Sequence, residues 1–84
     1  MFKVNFILEE LEKNKTLLPT YVKVYDLTDH KVIDTFYVSF IVAITYSSNK
    51  WESHVWKDGM IQLSSIVELN QSQIDELKSN QIKN

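Results

Sequence analysis

The sequence predicts an α+β fold in which a four-stranded antiparallel β-meander is flanked by an N-terminal and a C-terminal helix. Runs of alternating β-branched and aromatic residues, separated by short polar turns, are typical of strands joined by hairpins. Apolar residues spaced three and four apart near both ends of the chain are typical of amphipathic helices. Because the 84 residues are 44% hydrophobic and no linker interrupts them, we expect one domain spanning residues 1–84.

The start of the chain predicts a first helix over residues 3–14. Its apolar residues recur at i, i+3, i+4 and i+7, and acidic residues face away from them. The apolar positions are Val4, Ile7, Leu8 and Leu11. The same segment also alternates, with Phe2, Val4, Phe6 and Leu8 at one parity, so a strand over residues 2–8 is the alternative.

A hairpin is predicted after the first helix. Residues 20–27 alternate as a strand, and residues 28–31 supply a polar turn. The next run, residues 32–46, contains no Gly, Pro or Lys and is predicted as one long strand. Fully extended it would measure about 50 Å, longer than a small domain accommodates, so we expect a bend or bulge at residues 34–35.

The two faces of this long strand differ in character. One parity is bulky and apolar and is predicted to enter the core: Phe36, Val38, Phe40, Val42, Ile44 and Tyr46. The other parity is smaller or hydroxylic: Tyr37, Ser39, Ile41, Ala43 and Thr45. Because side chains alternate across a strand, this second face must contact something other than the core.

The second half of the chain predicts another hairpin. Residues 51–56 and 60–69 are predicted strands, and residues 57–59 form a tight turn in which Gly59 has a positive φ. The last strand alternates, and its apolar face comprises Ile61, Leu63, Val67 and Leu69.

A C-terminal helix is predicted to begin after Asn70. Its side chain is a typical N-cap, and Gln73 lies three residues on, as a capping box requires. Ile74 and Leu77 form the apolar stripe of this helix. We expect the polar residues 78–84 to fray.

The amino-acid composition excludes several classes of function. The chain has no Cys, so it offers neither a thiolate zinc site nor a cysteine nucleophile, and its single Gly rules out glycine-rich phosphate loops. All nine basic residues are Lys and the net charge is −2, which disfavours duplex DNA binding. We therefore expect no enzyme activity, cofactor or metal.

The location and origin of the protein are also predicted from composition. The N-terminus becomes acidic too soon for a signal peptide, and no segment approaches the roughly 20 apolar residues of a membrane span. These features predict a cytoplasmic protein that does not enter a membrane. The richness in Lys, Asn and Ile is typical of A/T-rich coding, as in a bacterium of low G+C content or one of its phages.

A few polar residues could form a metal or acid–base site. Glu52 and His54 share one face of a predicted strand, and Asp58 or His30 could approach them across a hairpin. Their spacing matches no known ligand motif, and Glu and His are ordinarily exposed. We interpret them as a solvated polar face.

Aromatic residues interleaved with lysines suggest single-stranded nucleic-acid binding. The aromatic residues are Tyr21, Tyr25, Tyr37, Trp51 and Trp56, and the lysines are Lys23, Lys31, Lys50 and Lys57. Stacking platforms of this kind bind single strands. The negative net charge and the nearby acids Asp26, Asp29 and Asp34 argue against it, so it is the alternative hypothesis.

An acidic surface that imitates nucleic-acid phosphates is a further interpretation. It would comprise Glu9, Glu10, Glu12, Asp26, Asp29 and Asp34. A net charge of only −2 is small for such a mimic, and charged runs are usually solvated faces.

The favoured hypothesis is a protein-interaction module, such as an accessory or inhibitor protein of a phage or mobile element. Trp51 and Trp56 are five residues apart, so a regular strand would place them on opposite faces. Trp and Tyr dominate interface hot spots. We expect Tyr37, Ile41, Trp51 and Trp56 to contact another protein, or a second copy in a homodimer.

Overall fold

The computed structural model describes residues 1–11, 16–17, 19–55 and 59–82. Within these ranges the chain forms six strands and two helices. They are β1 (Phe2–Leu11), β2 (Thr16–Leu17), β3 (Thr20–Asp26), β4 (Val32–Val38), α1 (Phe40–Tyr46), β5 (Glu52–Val55), β6 (Met60–Leu69) and α2 (Gln71–Ser79).

The strands form one antiparallel sheet in the order β4-β3-β1-β6-β5, and the short β2 pairs with the end of β1. The α+β class is confirmed. The four-stranded meander is wrong, because five of the described strands lie side by side across the sheet and β1 lies at its centre. The hairpins β3–β4 and β5–β6 are as predicted, but β4 and β5 are not neighbours and lie at opposite edges.

The predicted helix over residues 3–14 is wrong, since residues 2–11 form β1. The alternation of Val4, Phe6 and Leu8 is the pattern that holds, and all three side chains are buried. Ile7, which completed the helical spacing, lies on the opposite face of the sheet. Pairing with both β3 and β6 satisfies the backbone groups of β1 on its two edges, which outweighs the helical spacing. Residues 12–14 of the predicted helix lie outside the described residues.

The predicted long strand over residues 32–46 is also wrong, because the chain changes from β4 to α1 at Ser39. Ser39 has extended backbone angles, φ −67° and ψ 158°, and its Oγ accepts a hydrogen bond from the Val42 amide at 3.4 Å. This is an N-cap. The composition of α1 is that of a strand, so the cap and the packing of the helix on the sheet override its β propensity.

This change of structure reassigns the side chains beyond Ser39. Phe36 and Val38 are buried, as predicted. In α1 the helical period replaces alternation, so Ala43 is fully buried whereas Ile44 is 48% exposed. Phe40, Val42 and Tyr46 are partly buried. The division of residues 40–46 into two strand faces is therefore wrong.

A β-bulge occurs near the predicted position in β4. The register shifts between Val24 and Tyr25 of β3, which pair with Asp34 and Val32 respectively. The extra residue is Ile33, one position before the predicted bend. It increases the local twist at the start of this edge strand.

The second half of the chain follows most of its predictions. Gly59 has φ 73°, and β6 spans the predicted residues. Asn70 and Gln73 form the capping box of α2. Ile74 and Leu77 are buried. The other two residues of the predicted turn, 57 and 58, lie outside the described residues.

Both helices pack on the same face of the sheet. The buried core combines side chains of four strands with Ala43 of α1 and two residues of α2. Its members are Val4, Phe6, Val22, Val24, Phe36, Val38, Ala43, Leu69, Ile74 and Leu77. The strand residues among them share one side of the paired register, as in the pairs of Val4 with Val24 and of Phe6 with Val22.

Polar contacts hold α2 and the residues after it near β4. Lys78 Nζ lies 2.6 Å from an Asp34 carboxylate oxygen, but both side chains are partly exposed, so this ion pair contributes little to stability. The Ile82 amide donates a hydrogen bond of 2.7 Å to the Tyr37 carbonyl. This bond occupies one outward carbonyl of the edge strand.

Tyr46 of α1 also interacts with Glu76 of α2. The Glu76 carboxylate, as a hydrogen-bond acceptor for the phenol, raises the pKa of Tyr46 above its ordinary value of 10.0. Burial and the negative charge of Glu76 act in the same direction. The protonated phenol is therefore favoured in the folded state over the unfolded state.

The N-cap of α1 predicts the effect of replacing Ser39. Ser39→Ala removes the acceptor for the Val42 amide, and we expect a loss of about 0.5–1 kcal/mol in the free energy of unfolding, measured by urea denaturation. Ser39→Thr keeps the hydroxyl and is the matched control, with a smaller loss. Equal stability of the Ala variant and the wild type would show that the cap does not stabilise α1.

The raised pKa of Tyr46 predicts a pH dependence. A folded-state pKa above the unfolded value means that the stabilisation is complete below about pH 10 and is lost as the pH rises through the folded value. We therefore expect the stability advantage of the wild type over Tyr46→Phe to shrink at alkaline pH. In an ultraviolet titration, one phenol of the Glu76→Gln variant should ionise at a lower pH than in the wild type. Unchanged titration curves would contradict the contact.

Candidate interaction surface

The sheet face opposite the helices is the candidate functional site, and we call it the helix-free face. The strand register assigns it alternate residues of five strands. These residues are Lys3, Asn5, Ile7, Glu9, Tyr21, Lys23, Tyr25, Val32, Thr35, Tyr37, Glu52, His54, Met60, Gln62, Ser64, Ile66 and Glu68. All of them are half-buried or exposed in the described structure. Among the described elements, neither helix packs on this face.

A pair of tyrosines lies across β3 and β4 on this face. Tyr21 and Tyr37 are register partners, and their ring centroids are 4.9 Å apart with an interplanar angle of 30°. Tyr37 is on the edge strand and is 50% exposed. Aromatic cross-strand pairs stabilise a sheet and restrict each other's rotamers. The pair is therefore an ordered aromatic surface on the exposed side of the sheet.

Two lysines lie over tyrosine rings on the same face. Lys3 Nζ is 5.3 Å from the centroid of the Tyr25 ring, and Lys23 Nζ is 5.7 Å from that of Tyr21. Both distances are within the range of cation–π attraction. Tyr21 thus contacts an aromatic ring and an ammonium group at once.

A depression beside the tyrosine pair has a volume of about 260 Å³. We call it the tyrosine pocket, and its lining residues are Ile7, Glu9, Pro19, Tyr21 and Tyr37. A second depression of about 240 Å³ is lined by Ser48, Lys50, Glu52, Ser64 and Ile66. The first combines aromatic rings, aliphatic groups and one carboxylate, so it can receive a side chain with both an apolar and a polar part.

The charges on the helix-free face have both signs. Lys3 and Lys23 lie on β1 and β3, whereas the acids lie on β1, β5 and β6. The acids are Glu9, Glu52 and Glu68. Lys3 and Glu68 are cross-strand neighbours in the register. This mixed pattern offers no continuous positive track for a phosphate backbone.

The structure separates the residues that the sequence assigned to an interaction site. Tyr37 lies on the helix-free face, whereas Ile41 is on the outer side of α1 and is 74% exposed. Trp51 is half-buried on the helix side, with ring centroids 6.5 Å from Phe6 and 6.3 Å from Phe40. Trp56 lies outside the described residues. The prediction that Tyr37 and Ile41 share one face of a strand is therefore wrong.

The polar residues considered for a metal or acid–base site do not converge in the described structure. Glu52 and His54 are on edge strand β5, while His30 follows the turn before the opposite edge strand β4. Asp58 lies outside the described residues. Among the described residues there is no cluster of three or more His, Cys, Asp or Glu side chains suited to a metal ion.

The other charged residues that we considered for nucleic-acid binding or phosphate mimicry are dispersed over the described structure. Asp26 accepts a hydrogen bond from the Thr28 amide at 2.7 Å, and Asp34 pairs with Lys78. Lys31 is exposed after the β3–β4 turn. Lys50 lines the second depression. Glu12 and Lys57 lie outside the described residues.

Sequence reasoning missed the aliphatic and acidic side of the tyrosine pocket. The sequence predicts a helix at Ile7 and Glu9 and therefore does not place either residue beside the tyrosines. The alternation of Phe2, Val4, Phe6 and Leu8 was the available signal. A strand at these residues puts Ile7 and Glu9 on its other face.

Comparisons of the chain with models of known protein families, with curated proteins and with solved structures found no match. In the part of the chain that the structure describes, neither helix has the length and apolar character needed to cross a membrane.

The tyrosine pair predicts a measurable coupling. In a double-mutant cycle of Tyr21→Ala and Tyr37→Ala, we expect a coupling free energy of about 0.5–1.5 kcal/mol in urea unfolding. The control cycle joins Tyr25→Ala with Tyr37→Ala and should be additive, because Tyr25 is about 13 Å along β3 from the pair. Additivity in both cycles would contradict the ring contact.

Proposed function

We propose that this protein is a non-enzymatic, intracellular protein-interaction module that binds a partner protein through its helix-free face. The observation that carries the proposal is the Tyr21–Tyr37 pair, which lies on the side of the sheet opposite the described helices, with Tyr21 half-buried and Tyr37 exposed. Tyr side chains supply large contact areas at low cost in conformational entropy and are enriched in interface hot spots.

The size of the face supports a protein partner. Five strands spaced about 4.8 Å apart and up to ten residues long at about 3.3 Å per residue give a face of roughly 600 Å². Covering it on both partners would bury about 1,200 Å², which is the lower end of specific protein–protein interfaces. A small ligand would cover only a fraction of this area.

The chemistry of the face also supports a protein. Its centre has aromatic and aliphatic groups, Tyr21, Ile7 and Ile66 among them, and charges of both signs lie around them. Interfaces combine such an apolar centre with a polar rim. A partner with complementary charges would be selected by the positions of the lysines and acids.

A single-stranded nucleic acid is the second candidate. Lys3 and Lys23 share the helix-free face with three tyrosines, an arrangement that favours it. Two features weigh against it. The Tyr21 ring already contacts Tyr37 and Lys23, and Glu9, Glu52 and Glu68 would repel phosphates on the same face.

Capture of partners with matched variants tests the proposal. Immobilised wild-type protein, Tyr37→Ala and Ile41→Ala are exposed to lysate of the source cells, and bound proteins are quantified by mass spectrometry. We expect one or more proteins whose binding falls about tenfold or more with Tyr37→Ala, as for a hot spot. Ile41→Ala removes an exposed apolar side chain elsewhere and should retain them.

Two results would contradict the proposal. One is a set of bound proteins that does not depend on Tyr37. The other is salt-dependent quenching of intrinsic fluorescence by single-stranded oligonucleotides that is lost in Tyr37→Ala, which would assign the face to nucleic acid instead.

A further inference from the structure

We propose that the tyrosine pocket receives a cationic side chain, arginine above all, that projects from the partner protein. This inference rests on the proposed function and specifies the chemistry of the contact. The lining of the pocket includes the aromatic pair and Glu9, so it combines the two kinds of group that attract a guanidinium ion, a π system and a negative charge.

The size of the pocket fits one side chain. Its volume of about 260 Å³ is below the range of about 300–1,000 Å³ that is typical of small-molecule and cofactor sites. Its lining is drawn from β1, from β3 with the residue before it, and from β4, so it lies on paired strands. A pocket built on paired strands is ordered before a partner arrives, which reduces the entropy cost of binding.

The molecule itself shows that tyrosines on this face attract cations. Lys3 lies over Tyr25 and Lys23 lies over Tyr21, with ammonium-to-centroid distances of 5.3 and 5.7 Å. Tyr37 is stacked on Tyr21 and is half exposed. Its ring is therefore accessible to a cation that comes from another molecule.

The other lining residues complete the fit to arginine. Ile7 and Pro19 are aliphatic and can pack against the methylene stem of a long cationic side chain. Glu9 can accept two parallel hydrogen bonds from a guanidinium group, which an ammonium group cannot donate in the same geometry. The planar guanidinium also stacks on an aromatic ring.

The composition of the chain indicates that the arginine comes from a different protein. None of the nine basic residues is Arg, so a second copy could offer only lysine. On the helix-free face, Lys3 and Lys23 already lie over tyrosines of their own chain. A heterologous partner thus suits the pocket better than a homodimer.

A matched pair of peptides tests the proposal. Acetylated pentapeptides with a central arginine or its neutral isostere citrulline, flanked by Gly and Ser, are titrated to about 10 mM into labelled full-length protein and followed by NMR. We expect the arginine peptide to shift resonances of Tyr21, Tyr37 and Glu9, and to bind about five- to tenfold more tightly than the citrulline peptide.

Variants identify the groups responsible. Glu9→Gln preserves size and should remove most of the preference for arginine over citrulline. Glu68→Gln removes an acid elsewhere on the face and should preserve it. Unchanged resonances of the buried valines Val4, Val22 and Val24 confirm that each variant is folded.

Several outcomes would overturn the proposal. One is that the arginine peptide shifts no resonances, or shifts only those of other surfaces. Another is equal affinity for the two peptides. A third is a preference for arginine over citrulline that persists in Glu9→Gln. A concentration-dependent dimer in sedimentation that buries Tyr37 would assign the pocket to a second copy and likewise overturn it.

Failure of this inference is distinguishable from failure of the proposed function. A captured protein that depends on Tyr37 but not on Glu9 would leave the interaction module intact and remove only the cation. If the capture experiment finds no protein whose binding depends on Tyr37, the proposed function fails. The peptide titration does not test that point.

Discussion

The central position of β1 is the constraint on which the rest of the structure depends. Both of its edges are paired, to β3 along one side and to β6 along the other. Its backbone groups are satisfied only when both hairpins are in place, so neither half of the sheet is complete without the other. The register places Val4 between Val24 and Val67. A slip by one residue would turn this apolar set toward the opposite face.

One-sided coverage follows from this arrangement. The part of the chain that the structure describes has two short helices, of seven and nine residues, and both pack on the face that contains Phe6 and Val22. The opposite face has the odd-numbered residues of β1 and β3, which are neither fully apolar nor fully polar. Tyrosines, lysines and acids there are held in fixed positions by the pairing of their strands. The same pairing that builds the core therefore also builds the surface that we propose binds a partner.

The sequence predicted those features whose signals are local. The capping box at Asn70, the positive φ at Gly59 and the alternation of β6 depend on neighbouring residues, and all three were predicted. Elements whose secondary structure depends on distant contacts were not predicted correctly. In β1, strand pairing on two sides outweighs the helical spacing of the apolar residues. In α1, a serine cap and packing on the sheet outweigh the β propensity of the residues. Tyr37 was predicted as a surface contact, but the pocket beside it requires β1 next to β3.

The most direct test of this account is the solvent accessibility of the two sheet faces, measured by NMR with a soluble paramagnetic gadolinium chelate. We expect strong relaxation enhancement at the Tyr37 ring and the Ile66 methyl groups, and little at Phe6, Val22 and Val24. Enhancement should be weak at the core residues throughout the concentration range in which the protein is monomeric. Protection of Tyr37 and Ile66 in the monomer, at the level of the core residues, would contradict the claim that one face of the sheet is open for binding.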